Sequence, residues 1–268
     1  MKNVIIWFCF IAVWGYIFKN FILTLIKSIK KLKNIFLSIL FLIKKLFIRN
    51  IYSDPSSRIL HFTSDIVTLV RYNIAESVYS KNNTICEHPS LLKYEVNCSG
   101  LINHVLDSQY PEALQEIKDY IIRVDDRKGY KNGLPKCLQY YSFFKENTLK
   151  KYWEVVDDAR KAQAGDVVLF CDNTERVTKF GQHIMLIAGK PKIHEGSRII
   201  CSIYDSTGKG HGGNDLRSRD GDNGAGEGVI GLNITGIGAV AQIQWNIADE
   251  STGHQNVVIA RVKSARPQ

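Results

Sequence analysis

The sequence predicts an α+β fold, in which helices from the first part of the chain pack on a mostly antiparallel sheet from the second. Three observations predict it. A hydrophobic membrane segment occupies residues 1–50. Apolar residues then recur at the spacing of a helix from Ile59 onward. After residue 165, short runs of β-branched residues separated by turn residues replace that spacing, as expected for strands.

Residues 1–50 are predicted to be a membrane anchor or signal region. The segment has two apolar runs, Val4–Phe18 and Ile35–Ile43, with a lysine-rich stretch between them. Three alternatives fit: a secretory signal peptide, an uncleaved anchor or two-helix hairpin, or a basic amphipathic helix on an anionic membrane face. All three place the chain at a membrane or beyond it. We expect a cell-envelope protein whose folded domain lies outside the cytoplasm, as a hairpin with its lysines inside would place it; a single anchor with the same charge bias would leave the domain inside.

The charge distribution argues against a nucleic-acid-binding protein, although the net charge is +9. Nine of the 35 Lys and Arg residues and none of the 26 Asp and Glu residues fall within residues 1–50. The rest of the chain therefore carries equal numbers of each sign. Binding to a phosphate backbone requires a concentrated basic surface. The composition predicts no nucleic-acid partner.

The segment 51–58 is predicted to be a linker, because it contains turn residues and a proline. Residues 59–268 form the predicted folded domain. A first helix is predicted from Ile59 to Tyr79, and a second from Cys98 to Leu106 with Asn97 as its N-cap. A third helix is predicted over residues 111–124.

Six strands are predicted in the second half of the chain, in "GDVVLFC", "QHIMLIAG", "RIICSIYDS", "VIGLNI", "AVAQIQW" and "NVVIARVK". A glycine-rich insertion, residues 206–228, separates the third strand from the fourth. Long loops within compact domains are often functional. We expect this insertion to form a wall or lid of a substrate cleft, with a mobile insertion as the alternative.

Cys98 is the candidate nucleophile, because a helix N-terminus stabilises a thiolate and the thiolate is the reactive form of cysteine. A cysteine nucleophile needs a base and a group that orients the base. His183 opens an apolar strand, and Asp205 ends the next one. Adjacent antiparallel strands would place the carboxylate beside the imidazole. The sequence therefore predicts a Cys98–His183–Asp205 triad.

The other cysteines give no sign of a metal site. No C-x-x-C and no paired histidines occur, so neither a metal nor a cofactor is predicted. Cys171 and Cys201 fall in strand patterns and are expected to be buried free thiols. A disulfide that involves Cys86 or Cys137 is an alternative if the domain is extracytoplasmic.

Three blocks in order, "NCSGLINHVL", "AGDVVLF" and "QHIMLIAG", resemble motifs of the NlpC/P60 group of papain-like cysteine peptidases. Together they span residues 94–189. The resemblance implies an α+β papain-like fold with Cys98 as nucleophile and His183 as base. It also implies hydrolysis of peptide bonds in bacterial cell-wall peptides, with peptidoglycan as the partner. Asn97 stands where the group usually has Asp, and Asp205 stands for a third residue that is commonly His or Asn.

The candidate substrate contacts lie next to the nucleophile and in the insertion. Tyr94 corresponds, with looser spacing, to a tyrosine that often lines the oxyanion side in this group. The other candidates are Ser99, His211, Asp215 and Arg217. Two alternatives to a peptidase remain: an amidase or acyltransferase that uses the same Cys–His pair, and a catalytically inactive papain-like domain that binds its ligand at the membrane.

Overall fold

The computed structural model of the chain describes residues 2–72, 75–88, 91–124, 133–146, 150–172, 181–194, 197–212, 215–220, 222–248 and 253–263. Within helices it leaves out the side chains of residues 2–17, 46–50, 219 and 220. The helices are α1 (Lys2–Ile51), α2 (Pro55–Arg71), α3 (Cys98–Gln109), α4 (Pro111–Arg123), α5 (Cys137–Glu146) and α6 (Leu216–Asp220). The strands are β1 (Ala75–Val78), β2 (Thr84–His88), β3 (Leu91–Glu95), β4 (Trp153–Val155), β5 (Val167–Cys171), β6 (Gln182–Ile187), β7 (Lys192–His194), β8 (Arg198–Thr207), β9 (Gly224–Ile234), β10 (Val240–Gln244), β11 (Gly253–His254) and β12 (Val257–Val262).

The main sheet confirms the predicted α+β class and the antiparallel pairing. Eight strands follow one another in the order β11-β10-β9-β8-β6-β5-β12-β4, and β7 pairs with β8 outside that order. Each of these neighbouring pairs is antiparallel. All six strands predicted from the sequence belong to this sheet. Each of them is a short run rich in β-branched residues between turn residues, which is the pattern expected for strands.

Both faces of the sheet are buried. On β5, Val167 and Leu169 belong to the apolar cluster shared with the helices. Val168 and Phe170 point the other way, into a cluster made of strand residues and the segment 159–162. Strand residues alternate between faces, so one strand serves both cores. Strands β10 and β12 also contact each other without being paired neighbours, which shows that the sheet curls around the second cluster.

The N-terminal segment forms one continuous helix, α1, rather than the two-helix hairpin that was one alternative. Its C-terminal part packs on the domain, where the Phe41 ring stacks on Phe62 at a centroid distance of 5.8 Å. Lys44 pairs with Asp65 at 2.7 Å, and Lys45 pairs with Glu87. Among the residues searched, those that the structure describes, no helix has the length and apolar character needed to span a membrane.

The connection between α1 and α2 is shorter than the predicted linker 51–58. Helix α2 begins at Pro55, because the Asp54 side chain caps it by accepting a 2.7 Å hydrogen bond from the Ser57 N–H. Proline suits the first turn, where no intrahelical partner exists for an N–H. Three residues, 52–54, therefore separate the two helices.

A small sheet, absent from the sequence prediction, lies between α2 and α3. The helical pattern was expected to run through Tyr79, but β1 instead pairs in parallel with β3, and β2 pairs with β3 in antiparallel register. Pairing with residues more than 15 positions away overrides the local helical spacing here. The chain leaves β3 directly for Cys98, and the Ser206 hydroxyl donates to the Val96 carbonyl at 2.6 Å. This bond links the approach to α3 with β8.

Candidate active site

Cys98 is the first residue of α3 and is largely buried, with 8% of its surface exposed. The Asn97 side chain caps the helix by accepting a 2.8 Å hydrogen bond from the Gly100 N–H. The N–H groups of a first turn have no partner within their own helix. They place partial positive charge beside the Cys98 sulfur, which favours its thiolate.

Steric crowding explains why residue 100, two positions after Cys98, is a glycine. A Cβ at Gly100 would lie 2.1 Å from Oδ1 of Asn83. That same oxygen accepts a 3.0 Å hydrogen bond from the Asn97 N–H. Asn83 has a φ of 52°, in the left-handed region, which asparagine tolerates better than most residues. Gly100 therefore makes room for the side chain that fixes the start of α3.

His183 and Asp205 lie side by side, as the sequence predicted. His183 is the second residue of β6, and β8 pairs with β6 in antiparallel register. The His183 Nε2 lies 2.6 Å from Oδ2 of Asp205. Cys98 lies close enough to the His183 ring for its thiolate to raise the His183 pKa, and both residues line one cleft. The structure thus brings the three predicted catalytic residues together.

The Asp205 carboxylate is fully buried and accepts bonds from three side chains. Besides His183, Nε2 of His211 lies 2.9 Å from Oδ2. The Arg217 guanidinium donates to Oδ1 at 2.8 Å. Arg217 also pairs through two nitrogens with Asp215, at 3.0 and 2.8 Å. This buried group of five residues, which we call the Asp205 network, holds the carboxylate in one position.

The network fixes the charge state of Asp205. Burial alone would raise its pKa, but His211, Arg217 and the hydrogen bonds from the two histidines hold the pKa well below its usual range. The carboxylate is therefore ionised at neutral pH. An ionised Asp205 fixes the orientation of His183 and stabilises its protonated form.

The pKa values of Cys98 and His183 shift in opposite directions. A hydrogen bond from Cys137 lowers the pKa of Cys98; burial opposes this shift and the nearby His183 reinforces it, so that the pKa falls well below its usual value. For His183, burial acts to lower the pKa, but the Cys98 thiolate and Asp205 raise it to about 10. The pair is therefore a thiolate and an imidazolium near neutral pH.

A cleft of about 810 Å³ opens onto Cys98 and His183. Three lysines line it, Lys81, Lys136 and Lys209, and none of the described residues that line it is Asp or Glu. The aromatic side chains of the lining are those of Tyr79, Phe170, Trp245 and the two histidines, His183 and His254. The cleft therefore presents positive charge and aromatic surface around a reactive thiol.

The residues predicted to contact substrate divide into two groups. Ser99 lines the cleft, and its hydroxyl donates to the Asn97 side chain at 3.1 Å. Tyr94 is fully buried and donates to Glu87 at 3.0 Å, so it is not placed on the oxyanion side. The remaining three, His211, Asp215 and Arg217, are buried in the Asp205 network and do not line the cleft.

The insertion 206–228 contains the end of β8, the start of β9 and the segment that connects these two strands. Strand β8 continues to Thr207, and β9 begins at Gly224. Thr207, Gly208 and Lys209 form part of the cleft wall, as was predicted for this segment. None of the later described residues of the insertion lines the cleft.

Sequence reasoning missed three residues of this site. Tyr79 lines the cleft, and burial together with the nearby Cys98 raises its pKa to about 12, so its hydroxyl keeps its proton. Trp245 stacks on His211 with ring centroids 3.8 Å apart. The Sγ of Cys137 lies 3.5 Å from that of Cys98. All three depend on long-range packing, and no local motif marks them.

The structure also brings together three groups able to hold a metal ion, although the sequence predicted none. Ligand atoms of His183, Asp205 and His211 lie within 4.8 Å of one another. A histidine Nε2 that donates a hydrogen to Asp205 has no lone pair for a metal. Metal binding and the hydrogen-bonded triad therefore exclude each other at this place.

Three comparisons, with protein-family models, with curated proteins and with solved structures, returned no match for this chain.

Proposed function

We propose that this protein is a cysteine hydrolase that cleaves amide bonds. The observation that carries the proposal is that Cys98 and His183 line one cleft while Asp205 bonds to His183 from behind the cleft wall. A buried thiolate and imidazolium without a chemical role would be a costly arrangement, because burial disfavours both charges. Perturbed pKa values of this kind cluster at functional sites.

More specifically, we propose a divergent NlpC/P60-like peptidase that acts on cell-wall peptides. The three sequence blocks support this assignment, as does the helix that presents Cys98 to a strand carrying His183. The three lysines of the cleft lining add support, because peptidoglycan peptides carry free carboxylates that such a lining attracts.

The reaction follows from the position of each group. The Cys98 thiolate attacks the amide carbonyl, and the first-turn N–H of Cys98 stabilises the oxyanion. The Tyr79 hydroxyl, which keeps its proton, is the proposed second donor. The His183 imidazolium gives its proton to the leaving amine, and a thioester remains on Cys98. Neutral His183 then takes a proton from water, which hydrolyses the thioester and restores the thiolate.

We also propose that α1 brings the enzyme to an anionic membrane of the cell envelope, with the domain on the outer side. The described part of α1 exposes large apolar side chains, among them Phe18, Phe21 and Ile29. Lysines lie between them, and the segment has no acidic residue. A helix with this composition binds the interface of an anionic bilayer.

The proposal is tested by incubating the full chain with purified peptidoglycan fragments and measuring the products by mass spectrometry. We expect cleavage of a peptide bond, and we expect Cys98→Ala to abolish it. Cys201→Ala, which changes a buried cysteine that does not line the cleft, should retain it. Cleavage should decline as the pH rises through about 10, because His183 then lacks the proton for the leaving amine. Equal cleavage by Cys98→Ala would overturn the proposal. Product formed only with an added amine would point to acyl transfer.

A further inference from the structure

Two free thiols face each other at the base of the cleft. The Sγ atoms of Cys98 and Cys137 lie 3.5 Å apart, and both cysteines line the cleft. Cys98 begins α3 and Cys137 begins α5. The positive ends of two helices thus converge on the same pair of sulfur atoms, and such an arrangement favours a thiolate.

Buried hydrogen bonds hold the two helix starts together. The Asn103 side-chain amide of α3 donates to the Pro135 carbonyl at 2.8 Å, just before α5 begins. The Tyr140 hydroxyl of α5 donates to the Asn103 side-chain oxygen, also at 2.8 Å. Asn103 and Tyr140 are both buried. The proximity of the sulfurs is therefore fixed by the packing of α3 on α5.

The two thiols differ in charge state. The hydrogen bond between them lowers the pKa of Cys98 and raises that of Cys137. Near neutral pH one sulfur is therefore a nucleophilic thiolate, and its neighbour is a protonated thiol. Oxidant-sensitive cysteines typically have this character: a low-pKa thiol next to a second cysteine that resolves the first oxidation product.

We propose that Cys98 and Cys137 are a peroxide-sensitive pair, which forms a reversible disulfide that removes the nucleophile from the cleft. The Cys98 thiolate attacks hydrogen peroxide, its O–O bond breaks, and a sulfenic acid and hydroxide form. The Cys137 sulfur then attacks the Cys98 sulfur. The S–O bond breaks as the S–S bond forms, and the proton of Cys137 leaves with the hydroxyl as water. Two thiols lose two electrons, and peroxide gains them.

The geometry requires only a small movement. The sulfurs must approach from 3.5 Å to about 2.05 Å, a shift within reach of side-chain rotation at two helix starts. A dithiol reductant reverses the reaction by thiol–disulfide exchange. The inference goes beyond the proposed hydrolysis and does not depend on it, since the disulfide is detected whether or not the protein cleaves an amide.

The test treats the reduced full chain with one to a few equivalents of hydrogen peroxide, blocks the remaining thiols with iodoacetamide and maps the peptides by mass spectrometry. We expect a Cys98–Cys137 linked peptide that dithiothreitol removes. In Cys137→Ala we expect no such link and conversion of Cys98 to sulfinic acid. The matched control, Cys86→Ala, changes a half-buried cysteine on β2 and should leave the linked peptide unchanged.

The result on the unmodified chain decides the proposal even if Cys137→Ala fails to fold. Oxidation of Cys98 to sulfenic or sulfinic acid without a link to Cys137 would overturn it. A disulfide from Cys98 or Cys137 to another cysteine, such as Cys171, would also overturn it. If the Cys98–Cys137 disulfide forms but the protein cleaves no amide bond, the redox proposal stands and the proposed hydrolase function fails. The failure of one proposal can therefore be distinguished from the failure of the other.

Discussion

At the scale of single residues, the Asp205 carboxylate is where the charges of the site meet. It is fully buried, and His183, His211 and Arg217 all bond to it. A buried carboxylate with such partners remains ionised because each of them favours the charged form. His183 is the only one of the three that also lines the cleft. The other two act through Asp205.

This arrangement predicts the effect of Asp205→Asn. The amide has the same shape but loses the charge that stabilises the His183 imidazolium, so we expect hydrolysis to fall on the order of 10²–10⁴-fold. Steady-state kinetics on the cleaved fragment measure the change. A matched control is Asp158→Asn, which alters a half-buried carboxylate that is paired with Arg160 and does not line the cleft. Unchanged kinetics in Asp205→Asn would rule out its proposed role.

The sequence predicted Cys98, His183 and Asp205 because each sits at the end of a helix or strand, where local patterns are informative. It misplaced Tyr94, whose side chain turns to Glu87 instead of the cleft. It also assigned His211 and Arg217 to substrate, since a glycine-rich stretch gives no indication of which way its polar side chains point. Cys137 and Tyr79 could not be predicted, because only tertiary packing brings them to Cys98.

At the scale of elements, the glycines of β9 explain the glycine-rich stretch. Gly226 and Gly228 are two residues apart and so share one face of the strand. A Cβ at Gly226 would lie 2.7 Å from Nε of Arg217, and one at Gly228 would lie 2.5 Å from Cδ2 of His211. The absent side chains leave space for the Asp205 network. These glycines serve the site through packing rather than as a mobile lid.

We therefore expect Gly228→Ala to displace His211 and to weaken the Asp205 network. Crowding of a well-packed site costs typically about 1–3 kcal/mol, which thermal or denaturant unfolding measures. Hydrolysis should fall as well, because His211 helps to position Asp205. Gly236→Ala is the matched control, since a Cβ there meets nothing within 4 Å. Equal stability of the two variants would contradict this account of β9.

The elements themselves were largely predictable where hydrophobic periodicity is strong. The starts of α3 and α4 and six strands of the main sheet agree with the sequence prediction. The short strands β4, β7 and β11 were not predicted. The small sheet of β1, β2 and β3 was missed because β1 is only four residues long and pairs with a distant segment. Helix α2 begins at Pro55, four residues before the predicted start at Ile59, because Asp54 caps it and Pro55 suits its first turn.

At the scale of the whole molecule, helix α1 has two parts with different surroundings. Its C-terminal end packs on α2 through Phe41, whereas the described residues from Phe18 to Phe36 expose most of their large apolar side chains. All of the excess positive charge of the chain lies within residues 1–50. The sequence alone predicted membrane attachment, and that prediction is testable separately from the chemistry.

We expect the full chain to bind vesicles that contain phosphatidylserine and to be released by salt, because exposed lysines are attracted to an anionic surface at roughly 1 kcal/mol each. Co-sedimentation measures binding. Replacement by glutamine of four lysines of α1 should weaken binding at least tenfold. These lysines are Lys27, Lys30, Lys31 and Lys33.

The matched control replaces four lysines of the folded domain by glutamine and should bind as the unmodified chain does. These lysines are Lys118, Lys161, Lys190 and Lys192. If vesicle binding is unchanged by both sets of substitutions, the positive charge of α1 is not what brings the chain to the vesicle.

The central claim is that His183 activates Cys98 as a thiolate, and the pH dependence of Cys98 alkylation by iodoacetamide tests it most directly. Because the pKa of Cys98 is lowered, the account predicts similar rates at pH 6 and pH 8. A thiol with the ordinary pKa of about 8.5 would react roughly 75-fold more slowly at pH 6 than at pH 8. His183→Ala should move the profile toward the ordinary one, because the imidazolium is lost while the hydrogen bond from Cys137 remains. A profile of the ordinary kind in the unmodified protein, or one that His183→Ala leaves unchanged, would contradict the account.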